Sequence, residues 1–309
     1  MQGIIDIGSN TMRLSMYDTA NSNIDLLFSK KIMASLASYI DGDNNLTQAG
    51  IDSAVEALLV YRNLVEKLGD PSVAVIATAS LRNIDNTHEV IAAIKKATDF
   101  TVTLLSGAQE AHYDFEAARK HVKSCMDADD DEFLVVDIGG GSTELAWCET
   151  DDMHDGVSFP VGSLNQYMHH VDYLIPTKQN RHAIYRAMSE RIKDHWAENV
   201  PSASVLVGIG GSVRYALRLY NAYFKQAGDN RIIEATHLKE LIKSLAPAEK
   251  RSVVRLTRTA PERIHTLVPG MVILRAVADA VGAQTIIVSD WGVREGYLMH
   301  LLEQERNHG

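Results

Sequence analysis

The 309-residue sequence contains little cysteine, few aromatic residues and no excess of positive charge. Its two cysteines, Cys125 and Cys148, are too few for a disulfide-based secreted domain and favour a reducing cytoplasm. The net charge of −10 argues against a general binder of nucleic acids or membrane surfaces, because such proteins carry a basic excess. The sequence predicts neither a signal peptide nor an apolar run of the roughly 18–20 residues that span a membrane.

Apolar residues, by contrast, are abundant enough for sizeable cores, since 46% of the chain is hydrophobic. A chain of this length commonly forms two domains of roughly 150 residues each. The acidic segment at 127–132 is typical of a solvated linker. We therefore predict one domain at 1–124 and a second at 125–309.

Hydrophobic periodicity predicts a series of strands and helices in each half of the chain. In the first half, strands are expected at 3–8, 12–18, 24–33, 73–77 and 102–105, and helices from Thr47 to the stop at 69–71, at 87–97 and at 108–121. In the second half, strands are expected at 133–138, 143–148, 153–160, 205–208 and 285–289, and helices at 177–197, 213–224, 237–245, 261–281 and 293–304.

Each half opens with the same motif. The segment Ile5–Leu14 overlays Val136–Leu145 without a gap, and both end a strand on an aspartate, Asp6 or Asp137, before a glycine-containing reversal. Backbone N–H groups of such a loop can bind phosphate oxygens, whereas the aspartate needs Mg²⁺ or a water between itself and phosphate. Either loop alone could be merely a tight hairpin, but two matched loops favour phosphate binding.

A third element, at 104–111, ends a strand and starts a helix with Glu110 in its first turn. A carboxylate near a helix N-terminus can remain ionised and deprotonate a water molecule. The alternative is a capping box formed by Ser106 and Gln109, with Glu110 as an ordinary first-turn charge. The spacing alone favours the cap.

Other candidate anion-binding residues are glycines and cations. The strand–glycine–helix segment at 207–214 predicts either a helix N-terminus on phosphate or on a nucleotide base, or close helix–sheet packing. Arg82 follows a strand, in a predicted loop, and is a candidate phosphate clamp. A basic set stands out in this acidic chain, and a solvated helix face is its default interpretation. The set comprises Lys250, Arg251, Arg255, Arg258, Arg263 and His265.

The combined motifs resemble a known family over essentially the whole chain. The motifs are IIDIGSNTMRL at 4–14, ATASLRN at 77–83, LLSGAQEA at 104–111, VVDIGGGSTEL at 135–145, FPVGSL at 159–164, GIGGSVR at 208–214, APERIHTLVPG at 260–270 and SDWGVREGYL at 289–298. They resemble the exopolyphosphatase/guanosine pentaphosphate phosphohydrolase (Ppx/GppA) family. This resemblance implies an α/β fold with two ribonuclease-H-like domains of the actin, Hsp70 and sugar kinase superfamily, with mixed sheets around a central cleft. The last helix could pack back on the first domain.

The resemblance also implies roles for individual residues. Glu110 would be the catalytic base for water, Arg82 would contact substrate phosphate, and Asp137 with Glu144 would hold Mg²⁺. The remaining candidates would bind phosphate. They are Ser9, Asn10, Gly139, Gly140, Gly141, Ser142, Gly211 and Ser212, with Arg263 and Arg294 as further candidates in the cleft.

The expected reaction is hydrolysis of the terminal phosphoanhydride of inorganic polyphosphate, and the alternative substrate is guanosine pentaphosphate. A non-hydrolysing sensor of either ligand is a third hypothesis, against which the retention of Glu110, Asp137 and Glu144 argues. Two departures from the family pattern stand out: His112 occupies a position that is commonly arginine, and the additional C-terminal domains of longer relatives are lacking. The second departure predicts a weaker grip on long polyphosphate. A cytoplasmic homodimer without nucleic-acid or membrane partners is expected.

Overall fold

The computed structural model describes residues 1–20, 24–125, 133–149, 152–197, 199–247 and 249–308. The chain divides into two compact units, one formed by Met1–Glu110 with Tyr297–Gly309 and the other by Ala111–Gly296. The acidic linker predicted at 127–132 lies outside the described residues, and the domain boundary predicted beside it stays a prediction. No helix among the described residues has both the length and the apolarity to cross a membrane.

The first unit is built on a five-stranded mixed sheet of order β3-β2-β1-β4-β5. Its strands are β1 Gln2–Ile7, β2 Met12–Asp18, β3 Asp25–Ile32, β4 Ser72–Ala77 and β5 Val102–Leu104. The first three strands are antiparallel neighbours, whereas β1, β4 and β5 run parallel. Its helices are α1 Gln48–Lys67, α2 Ala79–Arg82 and α3 Thr87–Thr98.

The core of the first unit follows from the alternation of apolar residues along β1 and β2 and from the stripe on α1. Helix α1 begins after Thr47, as predicted, where the Thr47 side chain accepts a hydrogen bond from the Gly50 N–H. Tyr61 on this helix is completely buried, and its hydroxyl donates to the Met12 carbonyl at 2.7 Å. Burial raises the pKa of Tyr61, since the phenolate would lose its hydration. The bond joins the helix to the sheet beneath it.

The second unit contains a six-stranded mixed sheet of order β10-β11-β9-β6-β7-β8. Its strands are β6 Phe133–Ile138, β7 Thr143–Glu149, β8 Asp152–Phe159, β9 Val205–Ile209, β10 Ile232–Glu234 and β11 Thr285–Val288. The helices that follow α3 along the chain are α4 Gly107–Cys125, α5 Ser163–His170, α6 Lys178–Trp196, α7 Gly210–Phe224, α8 Ala235–Lys243, α9 Lys250–Thr259, α10 Leu267–Val281 and α11 Val293–His308.

The internal repeat of the sequence is also a repeat of topology. Five strands of the second sheet, in the order β8-β7-β6-β9-β11, match β3-β2-β1-β4-β5 of the first, and β10 is an addition at the edge. In both sheets the first three strands of the unit are antiparallel neighbours, and the later strands are parallel to the first. The predicted α/β fold with two mixed sheets of the ribonuclease-H-like type is confirmed.

Several short elements differ from the sequence prediction. Arg82 ends the four-residue helix α2 instead of lying in a loop, and α5 and β10 were not predicted. Such short segments carry too little periodicity to be recognised in a sequence. Helix α7 begins at Gly210 rather than at 213, because the glycines form its first turn.

The predicted helix at 261–281 is in fact two elements. A 3-10 turn, Pro261–Arg263, precedes helix α10, which begins at Leu267. The reason is Pro269, which lacks an N–H group and is tolerated only in the first turn of a helix. Pro269 therefore requires α10 to begin only a residue or two before it.

A histidine of the second unit makes the stability of the fold sensitive to pH. His121 stacks on Trp291, and its Nδ1 lies 3.2 Å from Ser289 Oγ. Burial lowers the pKa of His121, and nearby Arg231 lowers it further, whereas Asp290 and Glu295 oppose the shift. The folded protein thus binds a proton at this site less readily than the unfolded chain does.

We expect the free energy of unfolding to fall as the pH drops below about 6.5, the ordinary histidine value, because the unfolded chain then takes up the proton that the folded site resists. Above that pH the histidine is neutral in both states and its contribution is constant. Urea unfolding between pH 5 and 8 tests this, with His121→Asn expected to have a shallower pH dependence. An identical slope for the variant would contradict the assignment to His121.

Candidate functional site

The predicted site residues of the first unit collect at one edge of its sheet. The parallel strands β1, β4 and β5 end at Ile7, Ala77 and Leu104, and the chain leaves each of them at the same edge. Ligands of open α/β sheets bind at this carboxyl edge. The segments that follow the three strands carry Ser9 with Asn10, Arg82, and Glu110, respectively.

The first glycine loop is tightly held. The Gly8 N–H donates to the Thr11 carbonyl at 3.2 Å and closes the hairpin. The carbonyls of Ser9 and Asn10 accept hydrogen bonds from the N–H groups of Ala37 and Ser35, each at 3.0 Å. Asn10 Oδ1 accepts from Ser35 Oγ at 3.3 Å, but the buried Asn10 Nδ2 has no hydrogen-bond partner among the described residues. A buried donor without a partner is uncommon and is suited to an anionic ligand.

Glu110 and Arg82 form an ion pair at the same edge. Arg82 Nη1 lies 2.8 Å from Glu110 Oε2 and also donates to the Leu105 carbonyl at 3.0 Å. The Glu110 side chain is 7% exposed and that of Arg82 17%. The guanidinium is therefore oriented by two oxygens at once, and it holds the carboxylate in a fixed position.

The capping box at the start of α4 is present together with this ion pair. The Gln109 N–H donates to Ser106 Oγ at 3.1 Å, and the Ser106 N–H donates to Gln109 Oε1 at 2.9 Å. From the sequence, a capping box and a catalytic role of Glu110 were alternative interpretations. The structure contains the cap, yet Glu110 is not an ordinary exposed first-turn charge, because it is buried against Arg82.

In the second unit, the corresponding edge carries a second set of predicted residues. The parallel strands β6, β9 and β11 end at Ile138, Ile209 and Val288. They lead into the loop at 139–142, the N-terminus of α7, and the segment before α11. Each unit therefore has its own candidate half-site at the carboxyl edge of its parallel strands.

The second glycine loop repeats the hairpin bond of the first and is anchored to α5. The Gly139 N–H donates to the Ser142 carbonyl at 3.0 Å, which matches the bond between Gly8 and Thr11. The carbonyls of Gly139, Gly140 and Gly141 accept hydrogen bonds from the first residues of α5, Ser163, Leu164 and Asn165. Gly162 makes this packing possible, because a Cβ there would overlap with the backbone of Gly140.

The hydrogen bonds to α5 use the carbonyl oxygens of the second glycine loop and leave its backbone N–H groups available. Within the described part of the chain, the N–H groups of Gly140, Gly141 and Ser142 donate no hydrogen bond. A loop whose acceptors are bound and whose donors are available is suited to bind an anion. The motif FPVGSL at 159–164 leads into α5, and the first residues of this helix orient the loop.

The two halves of the repeat differ at the strand positions before and after their loops. Asp6 is the direct cross-strand partner of Arg13, whereas Asp137 is the direct partner of Glu144. Direct partners in an antiparallel pair share one face, with Cβ atoms about 5 Å apart. The first unit therefore pairs an acid with a base, and the second pairs two acids. Glu144 is buried, and its Oε1 accepts from Ser158 Oγ at 2.6 Å.

Two carboxylates on one face repel each other unless a cation lies between them. Mg²⁺ is commonly held by one or two carboxylates together with waters and substrate phosphates, so Asp137 and Glu144 fit this ion. Searched over the described residues, the protein has no cluster of three or more histidine, cysteine, aspartate or glutamate side chains arranged as a metal site. Asp137 and Glu144 alone could supply two protein ligands, so any further ligands of such an ion would be waters or substrate oxygens.

The N-terminus of α7 adjoins Asp137 and Arg263. A Cβ on Gly210 would overlap with Asp137 Oδ1, and one on Gly211 would overlap with the Arg263 guanidinium. The first N–H groups of a helix have no partner within the helix, and the helix dipole favours an anion beside them. The glycines therefore bring a carboxylate and a guanidinium against a helix N-terminus. Arg263, predicted only as a further candidate, lies at this half-site.

The hydroxyl of Ser212 does not lie with these groups. Its Oγ is buried against α10, where Gly270 leaves the space for it, and it has no hydrogen-bond partner among the described residues. Any contact of Ser212 with phosphate would come from its backbone N–H. His112, the departure from the family pattern, is exposed, with its ring centroid 5.6 Å from that of Tyr113.

One basic residue at this half-site was missed by the sequence analysis. Burial lowers the pKa of Arg214, and the neighbouring Arg294 lowers it further, whereas Asp137, Glu295 and Asp290 raise it. Arg214 therefore belongs to the same charge cluster as Asp137. The signal was present in the sequence, since Arg214 is four residues after Gly210 and thus on the same face of α7.

We expect Gly210→Ala to damage this half-site. Gly210 has φ +89°, which costs a side-chain-bearing residue about 1–2 kcal/mol, and the added Cβ would also displace the Asp137 carboxylate. Gly282→Ala is the matched control, because Gly282 has φ +74° but nothing within 4 Å of its Cβ position. Urea unfolding and activity measurements check the pair. Both variants should lose stability, and only Gly210→Ala should also lose activity.

The fold defines the class of this protein: it has two ribonuclease-H-like units, each with a loop or helix N-terminus at the carboxyl edge of its parallel strands. The profile of the Ppx/GppA phosphatase family matches residues 15–305. The chain belongs to the Ppx/GppA phosphatase family, and the resemblance predicted from the motifs is confirmed.

Relatives and solved structures agree with this assignment. Exopolyphosphatase 1 of Mycobacterium tuberculosis is 24% identical over 316 residues, which cover 98% of this chain and 88% of that protein. The guanosine-5′-triphosphate,3′-diphosphate pyrophosphatase of Aeromonas hydrophila is 23% identical over 96% of this chain, but only 58% of that protein is covered. The crystal structure of an exopolyphosphatase from Cytophaga hutchinsonii has a TM-score of 0.85 at 22% identity, covers 98% of each chain, and supports the fold.

Proposed function

We propose that this phosphatase hydrolyses the terminal phosphoanhydride of inorganic polyphosphate and releases orthophosphate, with Glu110 as the base for water and Mg²⁺ held by Asp137 and Glu144. The observation that carries the proposal is the buried pair of Glu110 and Arg82 at the edge where the first glycine loop also lies. A buried carboxylate beside a phosphate-binding loop is suited to take a proton from water.

The roles of the remaining residues follow from their contacts. Arg82, held by Glu110 and the Leu105 carbonyl, binds a non-bridging phosphate oxygen and keeps the carboxylate in position. The Asn10 side-chain amide and the N–H groups of Gly140 and Gly141 donate to phosphate oxygens. Because phosphoryl transfer has a loose transition state, this positioning and charge neutralisation supply most of the catalysis.

Mg²⁺, when bound, neutralises the charge of the phosphate oxygens. Asp137 and Glu144 hold it, and Arg214, Arg263 and Arg294 supply further positive charge in the second unit. The helix N-terminus at Gly211 and Ser212, with the loop Gly139–Ser142, provides backbone donors for the anion.

The test is phosphate release from tripolyphosphate, long-chain polyphosphate and guanosine pentaphosphate, measured side by side with and without Mg²⁺. We expect Mg²⁺-dependent release from both polyphosphates. No release from either polyphosphate, with measurable binding of both, would replace the hydrolase with the sensor hypothesis.

Guanosine pentaphosphate is the second candidate substrate, because the relative from Aeromonas hydrophila bears the name of a pyrophosphatase for guanosine-5′-triphosphate,3′-diphosphate. The same phosphate-binding groups would serve either substrate. A higher kcat/KM for guanosine pentaphosphate than for both polyphosphates would favour this alternative. The cytoplasmic location stays a prediction from composition, and the homodimer stays an expectation from the frequency of dimers among such enzymes.

A further inference from the structure

A basic groove lies on the surface of the second unit, at the C-terminal end of α7. It has a volume of about 830 Å³ and is lined by Lys250, Arg251, Val254, Arg255, Arg258 and Thr259 of α9 and by Ala222 and Tyr223 of α7. Four of these eight lining residues are basic and none is acidic. In a chain with a net charge of −10, such a concentration of positive charge points to an anionic ligand.

The basic side chains are arranged along one face of α9. Arg251, Arg255 and Arg258 have the spacing of neighbouring turns, and they extend along about 10 Å of the helix. Ser252 and Leu256 are buried instead, so the arginine face is the outer one. Arg255 is oriented by the Tyr223 ring, 5.0 Å from its centroid, and by Ser244 Oγ at 3.1 Å.

This arrangement is unfavourable without an anion. Among the residues that the structure describes, none forms a salt bridge with Lys250, Arg251 or Arg258. Lys250 and Arg251 also lie in the first turn of α9, where the only acidic neighbour along the helix start is the N-cap Glu249, and cations there oppose the helix dipole. A bound polyanion would reduce the repulsion among these cations and the unfavourable interaction of Lys250 and Arg251 with the helix dipole.

The groove and the half-site lie at opposite ends of the same helix, α7. Arg255 contacts Tyr223, Glu262 accepts from the Tyr215 hydroxyl at 3.3 Å, and Arg263 lies against Gly211. These contacts show that α9 and the turn after it run antiparallel to α7. The groove at Tyr223 is about 18 Å along the helix from Gly211. Arg263 therefore lies beside the start of α7, at the opposite end of this helix from the groove.

We propose that this α9 groove is a second phosphate subsite, which binds the distal part of an inorganic polyphosphate chain whose terminal phosphates lie at the N-terminus of α7. This proposal rests on the proposed function, because it assigns the groove to the same substrate. A regular row of guanidinium groups matches a ligand with regularly repeated phosphates, each of which can accept a bidentate pair of hydrogen bonds. Tripolyphosphate is too short to occupy both places.

The test compares Arg251→Gln/Arg258→Gln with Arg191→Gln/Lys193→Gln. The control removes the same charge from exposed positions of α6 in the same unit, outside the groove. Binding of long-chain polyphosphate, tripolyphosphate and ATP is measured without Mg²⁺ over a series of salt concentrations, and KM is measured with Mg²⁺ for both polyphosphates.

We expect the groove variant to bind long-chain polyphosphate about tenfold more weakly, with a shallower salt dependence, and the control to bind it like the wild type. Affinity and KM for tripolyphosphate should not change. Equal weakening by both variants, or by neither, would overturn the proposal, and so would a loss confined to ATP, which would make the groove a nucleotide site. If long-chain polyphosphate binds as expected but the wild type releases no phosphate, the proposed hydrolysis is refuted and the groove assignment still holds.

Discussion

We expect Glu110→Gln to lower kcat for phosphate release by roughly 10²–10⁴-fold, the usual contribution of a general base, while KM changes little. The substitution keeps the size of the side chain and its contact with Arg82 but removes the group that accepts the proton. Steady-state kinetics on short polyphosphate and direct binding of the same substrate measure the two effects separately. Turnover near the wild-type value would refute the role of Glu110.

The control for this prediction is Gln109→Ala, in the same turn of α4. Gln109 completes the capping box with Ser106, so its loss should destabilise the fold by about 0.5–2 kcal/mol without a matching loss of kcat. The two variants distinguish the two alternatives that the sequence left open, a capping box and a catalytic role for Glu110. If Gln109→Ala reduced kcat as strongly as Glu110→Gln, the effect would belong to the helix start and not to the carboxylate.

The second large effect is expected for Asp137→Asn. This substitution removes one of two carboxylates that face each other across β6 and β7, so the Mg²⁺ concentration required for activity should rise by about 100-fold or more. Without Mg²⁺, the change in stability should be small, because the substitution removes both the repulsion from Glu144, worth roughly 0.2–1 kcal/mol, and the attraction to Arg214.

The repeat supplies the matched control, Asp6→Asn. Asp6 occupies the same strand position but is paired with Arg13, so its replacement should lower stability. Thermal unfolding with and without Mg²⁺ measures both variants. The wild type and Asp6→Asn should be stabilised by Mg²⁺, whereas Asp137→Asn should lose most of this stabilisation. An undiminished Mg²⁺ effect in Asp137→Asn would contradict the metal assignment.

Much of the fold could be predicted because its signals are local. The overlay of Ile5–Leu14 on Val136–Leu145 has no gap, and the two hairpins accordingly have the same register and the same closing bond. Alternating apolar residues and the cap at Thr47 likewise depend only on neighbouring positions. Among the elements that were missed, α2, α5 and β10 are too short for periodicity to reveal them. Helix α9, of ten residues, was not among the predicted elements either, although a helix face was the default interpretation of its basic residues.

The candidate site was predicted less completely, since its arrangement depends on contacts between distant residues. Nothing near Arg82 in the sequence indicates that it binds Glu110, 28 positions later. Arg263 reaches Gly211 only because the turn after α9 returns to the start of α7. The position of Arg214 on the same face of α7 as Gly210 could be read from the sequence, but its charged neighbours Asp137 and Arg294 lie far from it along the chain.

By itself, the sequence determined the two matched loops, the family and the types of residue that any site could use, because motif order and residue chemistry are properties of the chain. Only the tertiary structure decided how those residues are paired. Packing at the sheet edge paired Arg82 with Glu110, and the turn after α9 brought Arg263 against Gly211. Packing of α9 beside α7 turned a basic stretch into a groove, since only packing brings separate segments within contact distance.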